Sequence, residues 1–196
     1  GAEPAIRNSP GLWAIQRRRI DAGEGDALVL TGSSRMLFDT QLHVWERQAG
    51  QRPIQLAIEG TSPVPVLEQL ADDPDFTGDV LVGVAPDLFF TGYEYVKSKY
   101  ELYPKETPSQ RAGQWLSMRL IEPWAAFYDD DFALTTVLKR QPWPGRTGVP
   151  VFLDVRRLAV TAEDRNTHMW DKLEKDPQYA ALAQRIWAQD FGEIPF

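Results

Sequence analysis

Serine, glycine, aspartate and histidine stand in this 196-residue chain where an acyl-transfer reaction would use them. Ser33 and Ser34 lie in the turn Gly32-Ser33-Ser34-Arg35, directly after the apolar run Ala27-Leu28-Val29-Leu30-Thr31. A serine placed between a strand and a helix can expose its hydroxyl while its own N–H faces a bound oxyanion. Gly60 follows a second apolar run, and without a Cβ it lets a carbonyl oxygen approach another backbone N–H. Asp87 follows a third run, in Ala85-Pro86-Asp87. The chain has two histidines, so an imidazole base within it is His168 or His43. Position 36 is Met, which rules out the Gly-x-Ser-x-Gly elbow of α/β-hydrolases.

Each of these residues also has a structural reading. Ser34 is either the nucleophile or a turn residue satisfying a helix N-terminus. Arg35 either pairs with Asp39 or meets an anionic substrate. Asp87 either orients a base or caps the next helix. His43, nine residues beyond Ser34 on the following helix, is expected to be structural or at the surface. His168 is either a helix-start residue or the base. Asp129-Asp130-Asp131 is not expected to hold a metal, because three consecutive carboxylates point in different directions.

These residues need a sheet to hold them. Ala27 to Thr31 reads as a strand buried on both faces. Thr40 to Ala49 reads as a helix with Leu42, Trp45 and Ala49 on one face and Gly50 as its stop. Pro53 to Ile58 reads as a second strand, Pro63 to Leu70 as a second helix and Asp79 to Val84 as a third strand. Three strands and two helices make two successive βαβ units with parallel strands. The fold class expected is α/β, a doubly wound and mainly parallel sheet, with the site beyond the strands' carboxyl ends.

Outside this region, Ser9 to Ile20 predicts a short helix whose run Arg17, Arg18, Arg19 reads as a solvated face, or as a segment meeting anionic lipid. About residues 89 to 145 form an aromatic-rich helical insertion or cap, with helical period around Gln110 to Phe127 and Asp131 to Lys139. Most of its aromatic side chains are expected to pack rather than bind sugars. Val149 to Val155 predicts a fourth strand, and Asn166 to Trp187 a final helix broken at Asp176-Pro177.

Leu30-Thr31-Gly32-Ser33-Ser34-Arg35 followed by Leu56-Ala57-Ile58-Glu59-Gly60-Thr61-Ser62 resembles the first two blocks of the SGNH (GDSL-type) hydrolase superfamily, in the Gly-Ser-Ser-Arg variant of cell-envelope proteins. The resemblance covers about residues 27 to 90. It implies Ser34 as nucleophile, with the N–H groups of Ser34 and Gly60 as the oxyanion hole. It also implies an ester or acylated-glycan substrate, with Arg35 and Asp87 in contact with it, and no cofactor. The family's third block, Gly-x-Asn-Asp, is Gly83-Val84-Ala85-Pro86-Asp87 here and supplies no side-chain donor. Its last block, Asp-x-x-His, is matched out of register, since Arg165 stands three before His168 and Asp164 four before. The functions expected are a serine esterase or O-acyltransferase with Ser34, His168 and Asp164 as its triad, or an inactive binding or scaffold module on the same fold.

Composition narrows the partners. With 28 acidic against 21 basic residues and a net charge of −7, nucleic acid is a poor fit. There is no cysteine, which excludes thiol nucleophiles and thiolate-held metals. No stretch is long and apolar enough for a membrane helix. The chain opens at Gly1 rather than Met, so a membrane anchor outside this stretch, or a longer protein of which this is the N-terminal part, is an open expectation. The resemblance favours a periplasmic or cell-envelope location. A single domain over residues 1 to 196 is expected.

Overall fold

The computed structural model describes residues 5–94, 96–129, 132–139, 141 and 157–191. The architecture is mixed α/β, built on a three-stranded parallel sheet. Helix α1 (Pro10–Arg19) precedes β1 (Val29–Gly32), which is followed by α2 (Ser34–Asp39) and α3 (Leu42–Ala49). Next come β2 (Ile54–Gln55), α4 (Val64–Ala71) and β3 (Val80–Gly83). The sheet order is β2-β1-β3, with β1 in the middle and fully buried. Beyond the helix bounds predicted from sequence, the α3 stop holds: Gly50 takes φ +73° and its N–H closes on the Glu46 carbonyl. Ala49, expected on the buried face of that helix, is exposed, and His43 is exposed as well.

Helices α5 (Pro86–Thr91), α6 (Ser98–Leu102), α7 (Pro108–Leu116) and α8 (Leu134–Lys139) occupy the aromatic-rich region. Its aromatics divide. Tyr100 is buried and Tyr103 stands edge-on to Trp13 at 6.4 Å, whereas Phe90, Tyr93, Trp115, Trp124 and Phe127 are exposed. Phe89, Tyr128 and Phe132 are half-buried, so the expected packing holds for only part of the described aromatics. The strand predicted at 149 to 155, and Asp130 and Asp131, lie outside the described residues.

Two further predictions are overturned. Residues 166 to 170 do not begin a helix: β4 (Ala159–Thr161) and β5 (Thr167–Met169) form an antiparallel hairpin, and helices follow only at α9 (Lys172–Lys175) and α10 (Pro177–Phe191). The basic run of α1 is not a solvated face. Arg17 is 2% exposed, pairs with Asp73 and lies over the Tyr103 ring at 4.8 Å, and Arg18 pairs with the buried Glu106. The helix is enclosed, with Leu12, Trp13 and Ala14 wholly buried, so its cations needed internal anions.

The core explains why. Trp13 of α1 and Ile20, which caps it, meet Val29 and Ile54 of the sheet, Leu56 and Ile58 just after β2, and Val66 and Leu70 of α4. The Trp13 indole N–H donates to the Leu56 carbonyl at 3.0 Å. Ile54, Leu56 and Ile58 donate their N–H groups to Leu28, Leu30 and Gly32 of the middle strand. The alternate residues, Gln55 and Ala57, point their backbone groups away from β1, where among the described residues no strand pairs with them.

Side chains close that edge instead. Arg165, 0% exposed, donates to the Gln55 and Ala57 carbonyls, each at 2.8 Å. The Ala57 N–H donates to the Gln55 side-chain oxygen at 3.0 Å. Arg165 takes φ +64°, the one positive φ at a non-glycine among the described residues, and the turn it makes aims the guanidinium at the sheet. Its neighbours dock the same hairpin: Asn166 accepts from the Leu42 N–H at 2.7 Å and donates to Gln41 at 3.2 Å. Arg165→Met should leave two buried carbonyls without donors and lower stability by about 2–5 kcal/mol, with Arg165→Lys recovering part of it. Urea-unfolding midpoints of the two variants check this, and equal midpoints for wild type and Arg165→Met would remove Arg165 from its edge-closing role.

Candidate functional site

Ser34 is the first residue of α2, two positions past the end of the middle strand. Ser33, at 3% exposure, is the N-cap, and it caps without a side-chain hydrogen bond. Ser34 is half-buried, and its hydroxyl makes no hydrogen bond to a described residue. The reading of Ser34 as a helix cap is therefore not realised. Gly32 allows α2 to sit close on the sheet: at φ +152°, a Cβ there would come within 2.9 Å of Met36 Cβ and 2.8 Å of the Gly83 carbonyl oxygen.

The sheet register places the other residues. Leu30 pairs with Gln55 and Gly32 with Gly83, and the Ile58 N–H still donates to Gly32 at 2.9 Å. The ladders end there: Ser34 already belongs to α2, and Glu59 opens the turn that follows the Ile58 hydrogen bond. Gly60 follows at once, at φ +61°, in the left-handed region. The Ser34 N–H belongs to the first turn of a helix and has no intrahelical acceptor. No described residue accepts from it or from Gly60 N–H.

Arg35 is exposed and forms no ion pair with Asp39 or any other described carboxylate, contrary to the salt-bridge reading. It lines a depression of about 270 Å³ with Met36, Asp39, Gly83 and Val84. Asp87 lies exposed in the first turn of α5, where Ala85 is the N-cap, so Asp87 favours the helix dipole without being the cap.

His168 is exposed on β5, and β5 packs against α2, the helix that carries Ser34. No hydrogen bond or ion pair joins His168 to Asp164. Asp164 instead accepts from Arg52 Nε at 2.7 Å and from the Asn166 N–H at 2.9 Å. The carboxylate that senses His168 is Asp171, whose pKa is held below its ordinary value first by the hydrogen bond from Lys175, with His168 a smaller contributor.

A larger cavity, about 710 Å³, opens on the other side of α2. Phe38 and Thr167 are in its wall, and Glu59, Asn8 and Lys99 in its floor. Phe38 stands one helical turn beyond Ser34, which does not itself line the cavity. Glu59 is gripped from behind by Lys99 Nζ at 2.6 Å and by Asn8 at 3.3 Å. Lys99 is brought there by the segment before α6, which docks through Ser62 N–H to the Tyr93 carbonyl and Val96 N–H to Thr61 Oγ1. Burial pulls the Lys99 pKa down from 10.5 to about 8, opposed by Glu59 and aided by Arg165. Burial likewise lowers Arg165 to about 10, against the pull of Glu59.

Neither Lys99, Arg165 nor the Glu59 network stands out in the sequence. Arg165 shows there only as a departure from Asp-x-x-His. The one available signal was that an apolar second strand containing Gln55 must find partners for its outer edge. Among the described residues no group of three or more His, Asp and Glu side chains is placed to hold a metal ion. No described helix is long and apolar enough to cross a membrane.

The Lys99 amine predicts a pH dependence. Below pH 8 it is protonated both folded and unfolded and adds none. Between pH 8 and about 10 the unfolded chain binds the extra proton, so stability should rise with pH, by at most about 1.4 kcal/mol per unit. Urea midpoints across this range should climb in wild type and lose that slope in Lys99→Met; an unchanged slope would assign the dependence to another group.

Comparison with family models, with curated proteins and with solved structures finds no match to this chain.

Proposed function

We propose that this chain carries an SGNH-like serine site that cleaves or transfers an acyl group from an ester, including an acylated glycan. The observation that supports the reading is the sheet order: Ser34, whose hydroxyl meets no described residue, follows the middle strand, and Glu59-Gly60 follows its parallel neighbour β2 at the same sheet edge. The strand order β2-β1-β3 is also that of the start of a doubly wound sheet, whose ligands sit at this edge. In the proposed reaction Ser34 Oγ bonds to the acyl carbon as its proton passes to His168. The N–H groups of Ser34 and Gly60 receive the charge that develops on the carbonyl oxygen. The alcohol leaves with the proton from His168, and water or an acceptor hydroxyl then takes the acyl group. Arg35, exposed beside the serine and without an ion pair to a described carboxylate, contacts anionic parts of the substrate.

A specific observation favours a second reading, a binding module that does no chemistry. Asp164 is committed to Arg52, and Ala85 and Pro86 offer no side-chain donor to the oxyanion. Treatment with a fluorophosphonate followed by intact-mass measurement separates the two. The first reading expects a single adduct on wild type, none on Ser34→Ala, and labelling slowed about 100-fold or more in His168→Ala. No adduct on wild type would leave the binding module as the function, and an adduct retained by Ser34→Ala would place the nucleophile elsewhere.

A further inference from the structure

Helix α7 packs on α1 and continues as a wider π turn through Ser117–Ile121. Gln114, Met118 and Glu122 face inward. Gln114 Oε1 accepts from the Ser9 hydroxyl at 2.9 Å, Met118 is buried, and Glu122 accepts from the Arg7 N–H at 2.9 Å and the Ser117 hydroxyl at 2.8 Å. Two residues on from each, about 200° around a helix, come Leu116, Leu120 and Trp124. All three are exposed, Leu120 by 64% and Trp124 by 80%, as are Trp115, Ile121 and Phe127 in the same segment. Large apolar side chains exposed together in this way mark an interaction surface. They form a ridge on a helix and line neither of the two cavities beside α2.

The charges of the segment indicate what the ridge meets. Across residues 103–127 every exposed charged side chain is a cation: Lys105, Arg111 and Arg119. The two carboxylates there, Glu106 and Glu122, are buried, and Arg18 pairs with Glu106. The chain as a whole carries −7, so this stretch, with no exposed acid, departs from the overall balance. Arg119 meets Glu163 at 2.8 Å with both about half-exposed, and Arg111 lies 3.7 Å from Glu106, whose charge Arg18 already answers. Exposed pairs of this kind contribute little and yield readily to another anion. A second copy of the chain fits the ridge poorly, because a two-fold contact would lay it on itself and set arginines against arginines. A lipid surface fits it well. Bilayer interfaces favour tryptophan, and apolar residues accompanied by Lys and Arg are the pattern of helices that lie among headgroups. From Pro108 to Ile121 the helix is about 20 Å long, short of a hydrocarbon core of about 30 Å, so it suits lying on a bilayer rather than crossing it. We propose that this ridge docks the protein on an anionic lipid bilayer, with Leu120 and Trp124 entering the headgroup region and Arg111 and Arg119 facing lipid phosphates. Docking of this kind is independent of the chemistry at Ser34.

Co-sedimentation of the full chain with vesicles tests this, comparing phosphatidylcholine mixed with phosphatidylglycerol at roughly 3:1 against phosphatidylcholine alone. Binding to the mixed vesicles should be about fivefold tighter or more, and should weaken as salt rises from about 0.05 to about 0.5 M. Trp124→Ser and Leu120→Ser, at exposed positions outside the core, should each weaken it about tenfold. Arg111→Gln and Arg119→Gln should each weaken binding to the mixed vesicles about fivefold and leave binding to phosphatidylcholine nearly unchanged. Failure to sediment with the mixed vesicles would overturn the lipid assignment and leave the ridge to a protein partner. Sedimentation that all four variants leave unchanged would also overturn it. So would a wild-type dimer in sedimentation velocity that Trp124→Ser dissociates, which would give the ridge to a second copy.

Discussion

A buried strand edge must have hydrogen-bond partners, and in this protein the outer edge of β2 finds them in one guanidinium. Arg165 spans the Gln55 and Ala57 carbonyls, and Gln55 satisfies the Ala57 N–H with its own side chain. An uncompensated carbonyl in that position would cost about 1–3 kcal/mol, and a β-strand there would have covered the space the hairpin now occupies. Much else follows from this choice. The cation is bound to the β4–β5 hairpin, so closing the edge also fixes the hairpin, and with it the packing of β5 on α2. The charge buried with Arg165 is offset by Glu59, which Lys99 and Asn8 hold in turn. Edge closure and the floor of the large cavity are thus parts of one network.

The residues around Ser34 depend on a second constraint, the close seating of α2. Glycines at the ends of β1 and β3 leave room for Met36, whose Cβ would collide with a Cβ at either position. This seating brings the first turn of α2 over the middle strand. Ser34 thus follows the middle strand at the sheet edge where Glu59 and Ala85 follow β2 and β3. Arg35 and Met36 of the same helix border the smaller depression, and Phe38 borders the larger cavity.

Where local pattern determines structure, the sequence was readable. The three parallel strands, helices α3 and α4 and the Gly50 stop rest on short-range signals (apolar runs, proline at a helix start and glycine at a helix end), whereas α2 was not expected. The errors have a common cause in long-range pairing. Arg17 and Arg18 read as solvated because Asp73 and Glu106, their partners, lie far away in the sequence. Thr167 to Met169 read as helix because a three-residue strand has too few positions to show a period of two. Its conformation comes from pairing with β4 and from the Thr161–Thr167 hydroxyl contact. The exposed Trp115, Trp124 and Phe127 carry no local mark to separate them from the buried Tyr100.

The sequence by itself determined the βαβ order and the positions of Ser34 and Gly60 after their strands, because strand, turn and helix signals act over a few residues. It also determined that a cysteine-based site is impossible. Only the tertiary structure decided what those residues meet. It committed Asp164 to Arg52, left Arg35 without an ion pair among the described residues, set β5 against α2, and buried Lys99 against Glu59. Each of these depends on groups separated by tens of residues, whose approach is set by packing and by the need to satisfy buried charge and backbone.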